Sequence, residues 1–199
     1  MMTIDTLFAL MALLFTAAFT PGPNNALLAN SGATFGLGRT VPHILGVALG
    51  FSLMLFIVGF MLGGLFQASV LLQNLLKWGG ILVLLWLAWK IASAGGLTGK
   101  SGRPRPFTFV EAAAFQWINP KAWVMAIAVT TQFVLVDAPL QSAVIVAAVS
   151  VAAGLTSASS WAVLGQYLTR WLNTPERLRA FNILMGALIA GCVLFLLKA

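Results

Sequence analysis

Charged side chains are scarce in this chain of 199 residues. Only 8% of the residues are Asp, Glu, Lys or Arg, whereas 60% are hydrophobic. A soluble domain usually carries about 25% charged and about 45–50% apolar residues, so this composition exceeds what one globular core absorbs. The scarcity of charge therefore excludes an ordinary soluble domain and favours a protein that lies in a lipid bilayer.

Residues that bind metals or perform catalysis are equally few. The chain has one cysteine, Cys192, one histidine, His43, and four acidic residues. A structural zinc site takes about four Cys, His or carboxylate ligands, and an enzyme in the membrane needs a nucleophile with its base, or a metal cluster, at depth. We therefore expect no metal, no cofactor and no enzymatic activity. A single cysteine also allows no disulfide within the chain.

Long, unbroken apolar runs dominate the sequence. Such runs predict α-helices, because the strands of a membrane barrel alternate apolar and polar residues. A spanning helix needs about 20 predominantly apolar residues, and we find six runs of suitable length. The sequence thus predicts an all-α integral membrane protein with six transmembrane helices. The runs cover about residues 5–33, 42–66, 70–92, 107–135, 139–166 and 178–198.

The basic residues predict the orientation. With six spans, alternate connecting segments share a side of the membrane, and Lys and Arg concentrate in the cytoplasm. One side carries only Lys77 and Lys198, so we place both termini in the periplasm. Because the basic residues lie between apolar runs, the net charge of +7 does not indicate a nucleic-acid partner. The eight residues assigned to the cytoplasm are Arg39, Lys90, Lys100, Arg103, Arg105, Arg170, Arg177 and Arg179.

The six runs divide into two halves of three within one transporter domain, residues 1–199. We place repeat 1 at about 1–92 and repeat 2 at about 107–199, with a basic cytoplasmic loop at about 93–106 between them. Because three is odd, the second half enters the membrane from the opposite side, which is the arrangement of an inverted repeat. The basic loop can also contact anionic membrane lipid.

Two polar segments that contain proline interrupt the first helix of each half, in the first and fourth runs. Proline removes a backbone donor and breaks a helix, and the freed backbone groups are tolerated at depth only beside protein or a cavity. Paired interruptions at corresponding positions indicate the substrate site of a transporter, although a structural kink is the alternative. The candidate substrate-binding residues are Thr20, Pro21, Gly22, Pro23, Asn24, Asn25, Asn119, Pro120 and Lys121.

Lys121 lies well inside the fourth run, and Glu111, ten residues earlier, is too far along a helix to pair with it. An ammonium group in the membrane is costly and usually functional. A substrate carboxylate is one candidate partner. The alternatives are snorkelling to the interface, a neutral amine, or bonding to carbonyls freed between Pro21 and Pro23.

A coupling proton requires a titratable group, and no acidic residue lies clearly at mid-membrane. Lys121 and His43 are therefore the proton-coupling candidates, since histidine titrates nearest neutral pH. Proton transfer by water along the backbone of the broken helices is the alternative. The alternative for His43 is an interfacial histidine at the entry to the second helix.

Three motifs resemble the lysine exporter (LysE/RhtB) family over essentially the whole chain. They are Thr20-Pro21-Gly22-Pro23-Asn24, the Gly46…Gly50 pattern, and Asn119-Pro120-Lys121-Ala122. The resemblance implies an exporter of amino acids or their derivatives in the bacterial inner membrane, driven by the proton gradient and assembled as a homodimer. The motif positions of the family fall here on Pro21, Gly22, Pro23, Asn24, Asn119, Pro120 and Lys121.

We therefore expect a secondary transporter that exports a small zwitterionic solute, with the two halves rocking around a central site. A passive channel for small solutes or ions is the alternative, and a membrane-embedded enzyme is a weaker one. The substrate stays open among nonpolar amino acids, threonine or homoserine, basic amino acids and lactone-type derivatives. The scarcity of acidic residues argues against a strongly cationic substrate.

Overall fold

Helices make up almost all of the structure. The computed structural model describes residues 2–62, 70–93, 105–169 and 174–198. Within these ranges there is no strand, and the predicted all-α class is confirmed. A π-helical turn, Val58–Leu62, follows the third helix. The helices are α1 (Ile4–Phe19), α2 (Pro23–Phe35), α3 (Leu37–Ile57), α4 (Val70–Ala92), α5 (Phe109–Ile118), α6 (Pro120–Phe133), α7 (Pro139–Thr169) and α8 (Pro175–Lys198).

The helix starts follow from local sequence. α2, α6, α7 and α8 each begin at a proline, which suits the first turn because its missing N–H would have no partner there. The side chain of Thr3 caps α1 by accepting from the amide of Thr6. Thr108 and Glu111 form a capping box at α5, and Glu111 also binds Arg105 at 2.7 Å.

The second apolar run differs from the prediction at its start. We expect it to begin at about 42, but α3 begins at Leu37. Gly36 has φ +77°, a conformation that glycine adopts readily, so one residue suffices to reverse the chain between α2 and α3. Arg39 consequently lies in the first turn of a helix, where it is exposed, and not in a loop.

Two of the described helices are long and apolar enough to cross a membrane on length and composition alone, Leu37–Met61 and Pro139–Leu168. A third crossing results if the bent pair α1 and α2 counts as one span. Most of the predicted cytoplasmic loop, residues 94–104 with Lys100 and Arg103, lies outside the described residues, as does Arg170.

The outer surface carries large apolar side chains. On α4, Leu71, Leu82 and Trp89 are 70%, 68% and 68% exposed. An apolar surface of this kind is unfavourable in water, whereas lipid solvates it. This surface therefore fits the bilayer inferred from composition.

The central helices pack closely, and their contacts fix their directions. Gly46 of α3 lies against Phe109 of α5, and Gly50 lies one turn further on against Ala113, so these two helices are parallel. In contrast, α3 and α7 are antiparallel: Ser52 donates a hydrogen bond to Ser150, and Gly154 faces Ala48. Small residues permit such close approach in membranes. Elsewhere α7 packs on α1 and α2, and α4 packs on α8.

Candidate functional site

A cavity of about 80 Å³ lies between the two interrupted helices, with α3 and α7 closing its sides. Its volume is several times the roughly 10–15 Å³ that one water molecule requires, so it has room for a small solute. The apolar part of the lining includes Leu14, Phe51 and Met125. The polar part consists of Asn24, Asn25, Gln116, Asn119, Lys121, Ser150 and Ser157.

The first interruption separates α1 from α2 by a bend of 56°. α1 ends at Phe19, and Thr20, Pro21 and Gly22 leave the helical path before α2 begins. Asn25, which is buried, donates its Nδ2 hydrogens to the carbonyl oxygens of Ala18 and Thr20, both at 3.0 Å. A side chain of α2 thus binds the backbone oxygens that the break leaves without amide partners.

Ser157 of α7 adds a second donor at the same place. Its hydroxyl donates to the carbonyl oxygen of Ala18 at 2.7 Å, across 139 residues of sequence. The end of α1 is therefore held by the first turn of α2, through Asn25, and by the middle of α7, through Ser157. These bonds satisfy backbone oxygens beside the cavity, as membrane depth requires.

The second interruption is a single residue. Asn119 is extended, with φ −86° and ψ 109°, between the end of α5 and the start of α6. Its side-chain oxygen accepts from the amide of Lys121 at 3.1 Å and so caps α6. Trp123 donates its Nε1 hydrogen to the carbonyl oxygen of Trp117 at 2.9 Å, which ties the two sides of this break together.

Lys121 connects the two interruptions. Its Nζ donates to the carbonyl oxygen of Thr20 at 2.7 Å. The side chain lies over Gly22, where an added Cβ would be 2.9 Å from Nζ. Of the alternatives drawn from the sequence, this contact matches the bonding to carbonyls freed at the first break.

Asn24 and Gln116 form a second connection between the interrupted helices. Asn24 donates its Nδ2 hydrogen to Gln116 Oε1 at 2.8 Å, and Gln116 returns a longer bond of 3.4 Å to Asn24 Oδ1. Gln116 is completely buried and also donates to the carbonyl oxygen of Ala112 at 2.9 Å. This paired amide fixes the distance between α2 and α5 at the cavity wall.

The structure brings most of the candidate residues together. Thr20 contributes its carbonyl oxygen, Pro21 is exposed at the break, and Pro120 begins α6. His43 is placed elsewhere: it is buried in α3, bonds through Nδ1 to the Ser31 hydroxyl at 3.0 Å and lies against the Phe107 ring. The candidates that line the cavity are Gly22, Pro23, Asn24, Asn25, Asn119 and Lys121.

Sequence reasoning did not select Gln116 or Ser157, both of which line the cavity. For Gln116 a signal was present, since an amide in an apolar helix three residues before Asn119 needs a buried partner. For Ser157 there was no comparable signal, because a serine in a membrane helix can bond to its own helix backbone.

Comparison with known proteins gives an independent result. The LysE type translocator family matches residues 15–199. Proteins named cysteine/O-acetylserine efflux protein from Escherichia coli O157:H7, Escherichia coli strain K12 and Shigella sonnei strain Ss046 are each 30% identical over 196 residues, which cover 96% of this chain and 97% of theirs. No solved structure matches the chain. The matched range includes both interruptions and all of the cavity lining except Leu14. The chain belongs to the LysE type translocator family, which makes it a membrane transporter and not an enzyme.

Proposed function

We propose that this protein is a secondary transporter that exports a small neutral amino acid or amino-acid derivative across the bacterial inner membrane. The observation that carries the proposal is the polar cavity between two interrupted helices, with Lys121 at its wall. Cysteine and O-acetylserine, after which the relatives are named, are small neutral zwitterions of the kind this cavity would suit.

The cavity lining supports a zwitterion over a strongly charged substrate. Among the described residues that line it, Lys121 is the only one with a charged side chain. A substrate carboxylate therefore finds a cation, whereas a second ammonium in the substrate side chain finds no carboxylate in the lining. The amides of Asn24 and Asn119 offer further hydrogen bonds to a carboxylate.

The helix packing supports six spans in two inverted repeats. If the first three spans exchange with the last three, the contact of α1 and α2 with α7 corresponds to the contact of α5 and α6 with α3. The contacts of α3 with α7 and of α4 with α8 then map onto themselves. This exchange also relates the two interruptions. We propose that the halves rock around the cavity, with both termini in the periplasm and two copies forming a dimer.

Counterflow in proteoliposomes tests the proposed function. We expect the wild type loaded with cysteine or O-acetylserine to take up the labelled compound with saturation, and Lys121→Ala to lose most of this flux. Lys90→Ala is the matched control, because Lys90 lies on α4 over the Trp86 ring and outside the cavity. If no amino acid moves in the wild type, the proposal fails, and a flux that does not saturate would indicate a channel instead.

Proton coupling is tested in the same vesicles with an imposed pH gradient. We propose that Lys121 or His43 carries the coupling proton. Gradient-driven accumulation, divided by the counterflow rate of the same variant so that loss of binding is not counted, should therefore fall in the double variant Lys121→Ala, His43→Ala. Full gradient-driven transport by the double variant would contradict this assignment. Elution of each variant as a single species after purification controls for folding.

A further inference from the structure

The end of α1 holds two backbone oxygens beside the cavity. Ala18 lines the cavity. Thr20 lies outside the lining and bonds to Asn25 and Lys121, which line it. Ala18 O accepts from Asn25 and Ser157, and Thr20 O accepts from Asn25 and Lys121. The carboxyl end of a helix carries a partial negative charge because its last carbonyls point outward together. An oxygen group of this kind, partly removed from water, favours a cation.

Lys121 identifies which cation fits. Its side chain ends in an ammonium group, which has three donors and no acceptor, and this group lies 2.7 Å from Thr20 O. The α-ammonium of an amino acid is the same chemical group on a shorter stem. Gly22 leaves the space open, since a Cβ there would be 2.9 Å from Nζ.

We propose that the carbonyl oxygen of Thr20 binds the α-ammonium group of the substrate, and that Lys121 occupies this position while the transporter is empty. On binding, the substrate ammonium displaces the Lys121 ammonium, which then pairs with the substrate carboxylate. The inference rests on the proposed function and specifies its substrate class: α-amino acids in which both the ammonium and the carboxylate are free.

The exchange is consistent with the charges of the site. Lys121 is partly buried rather than enclosed, so its bond to Thr20 O can be replaced by an equivalent bond from the substrate. A zwitterion adds no net charge to the cavity and provides a partner for the displaced lysine. An amine without a carboxylate would leave two cations close together, which repel one another. With an acid that lacks an ammonium, no substrate group would replace Lys121 at the Thr20 oxygen. The Thr20 oxygen and the carboxylate of the acid would then compete for the same lysine ammonium.

Lys121→Met tests the exchange, because methionine has a similar unbranched stem and no charge. The measurement is competition against binding of the labelled amino acid to the purified protein, because variants without the Lys121 ammonium are expected to lose most of their flux. The competitors are the amino acid itself, the amine that lacks its carboxylate, and the acid that lacks its ammonium. In the wild type we expect only the complete amino acid to inhibit. In Lys121→Met we expect the inhibition constant of the amino acid to rise and that of the amine to fall, each by about tenfold. This is the change that one hydrogen bond to a charged group supports.

A merely structural role of Lys121 would not change the inhibition constants of the amino acid and the amine in opposite directions. Lys90→Met is the matched control and should leave all three inhibition constants unchanged. If inhibition by the amine weakens together with inhibition by the amino acid, or stays unchanged, Lys121 does not occupy the ammonium position and the inference is wrong. Efficient inhibition of the wild type by the acid alone would also overturn it.

Two further outcomes separate this inference from the proposed function. If the wild type moves no amino acid, the proposed function fails and the inference fails with it. If the wild type transports normally but the analogues do not change order in Lys121→Met, only the inference fails. Should Lys121→Met not insert stably, Lys121→Leu, which also removes the donor to Thr20 O, carries the same expectation.

Discussion

Asn24 and Gln116 are the two side chains that join the interrupted helices through amide groups. Both line the cavity, and they contact each other across 92 residues of sequence. Losing its partner costs more free energy for Gln116 than for Asn24, because Gln116 is completely buried. An unsatisfied amide in such a position costs about 1–3 kcal/mol. The pair therefore contributes to stability and to the shape of the cavity.

A double-mutant cycle measures this connection. We expect Asn24→Ala and Gln116→Leu to lower the unfolding free energy in detergent by less in combination than the sum of their separate effects. The coupling should be about 1 kcal/mol, between the average of about 0.6 kcal/mol and the maximum of about 1.7 kcal/mol measured for polar side-chain bonds in membranes. Gln132→Leu, an exposed glutamine on α6, is the matched control and should show no coupling with Asn24→Ala. Strict additivity of the first pair would contradict the bond.

The same pair marks the limit of sequence reasoning at this scale. Asn24, Asn119 and Lys121 could be selected because polar residues beside prolines stand out in apolar runs. That Lys121 bonds to Thr20 could not be selected over snorkelling, since the two residues are 101 positions apart. Partner choice over such separations depends on how helices pack, which one sequence does not specify residue by residue.

At the scale of elements, α2 and α7 approach each other closely at two glycines, where an added Cβ would meet the backbone of the other helix. A Cβ at Gly32 would overlap the carbonyl group of Ala162, and a Cβ at Gly165 would overlap that of Ala29. Each helix thus contributes one glycine to the crossing and one carbonyl that fills the other's gap. Van der Waals packing of this kind is a main force that associates helices in lipid.

Alanine at either glycine should separate the two helices. We expect Gly32→Ala and Gly165→Ala each to destabilise the protein by about 1–3 kcal/mol, the usual effect of overpacking a tight contact. The measurement is the midpoint of thermal unfolding in detergent. Gly79→Ala on α4 is the control, because a Cβ there meets nothing within 4 Å, and alanine favours a helix over glycine. Equal midpoints for all three variants would contradict the tight crossing.

A helix start was predicted well where a proline begins the helix. The run expected from about 139 begins at Pro139 in the structure, whereas the start of the run expected from about 70 lies at the edge of the described residues. The start of α3 was missed by five residues, because Arg39 was interpreted as a loop residue, whereas Gly36 alone makes the turn. The turn requires a residue with a positive φ, which Gly36 supplies. The sequence alone does not identify Gly36, because other glycines nearby could adopt the same conformation.

At the scale of the whole molecule, the helix directions that follow from packing can be compared with the membrane path that the basic residues predict. α3 runs antiparallel to α7, because Ser52 pairs with Ser150 and Ala48 pairs with Gly154. Since α5 is parallel to α3, α5 also runs opposite to α7. These directions agree with the predicted path, in which the second and fourth spans run outward and the fifth runs inward. The tight crossings of α2 with α7 and α3 with α5 then lie on the predicted cytoplasmic side of the cavity.

Labelling of single cysteines from outside the cell tests that path. In a Cys192→Ala background, Asp137→Cys should react with a membrane-impermeant maleimide in intact cells, whereas Ser93→Cys should react only after the membrane is permeabilised. Both positions are exposed and lie just beyond a helix end, and one predicted span, made of α5 and α6, separates them. The expected result follows from the bias of eight basic residues against two, which holds the basic side in the cytoplasm. Equal reactivity at the two positions would mean that α5 and α6 do not cross as one span. Reversed reactivity would keep the span but would mean that the protein has the opposite orientation, with the basic side in the periplasm.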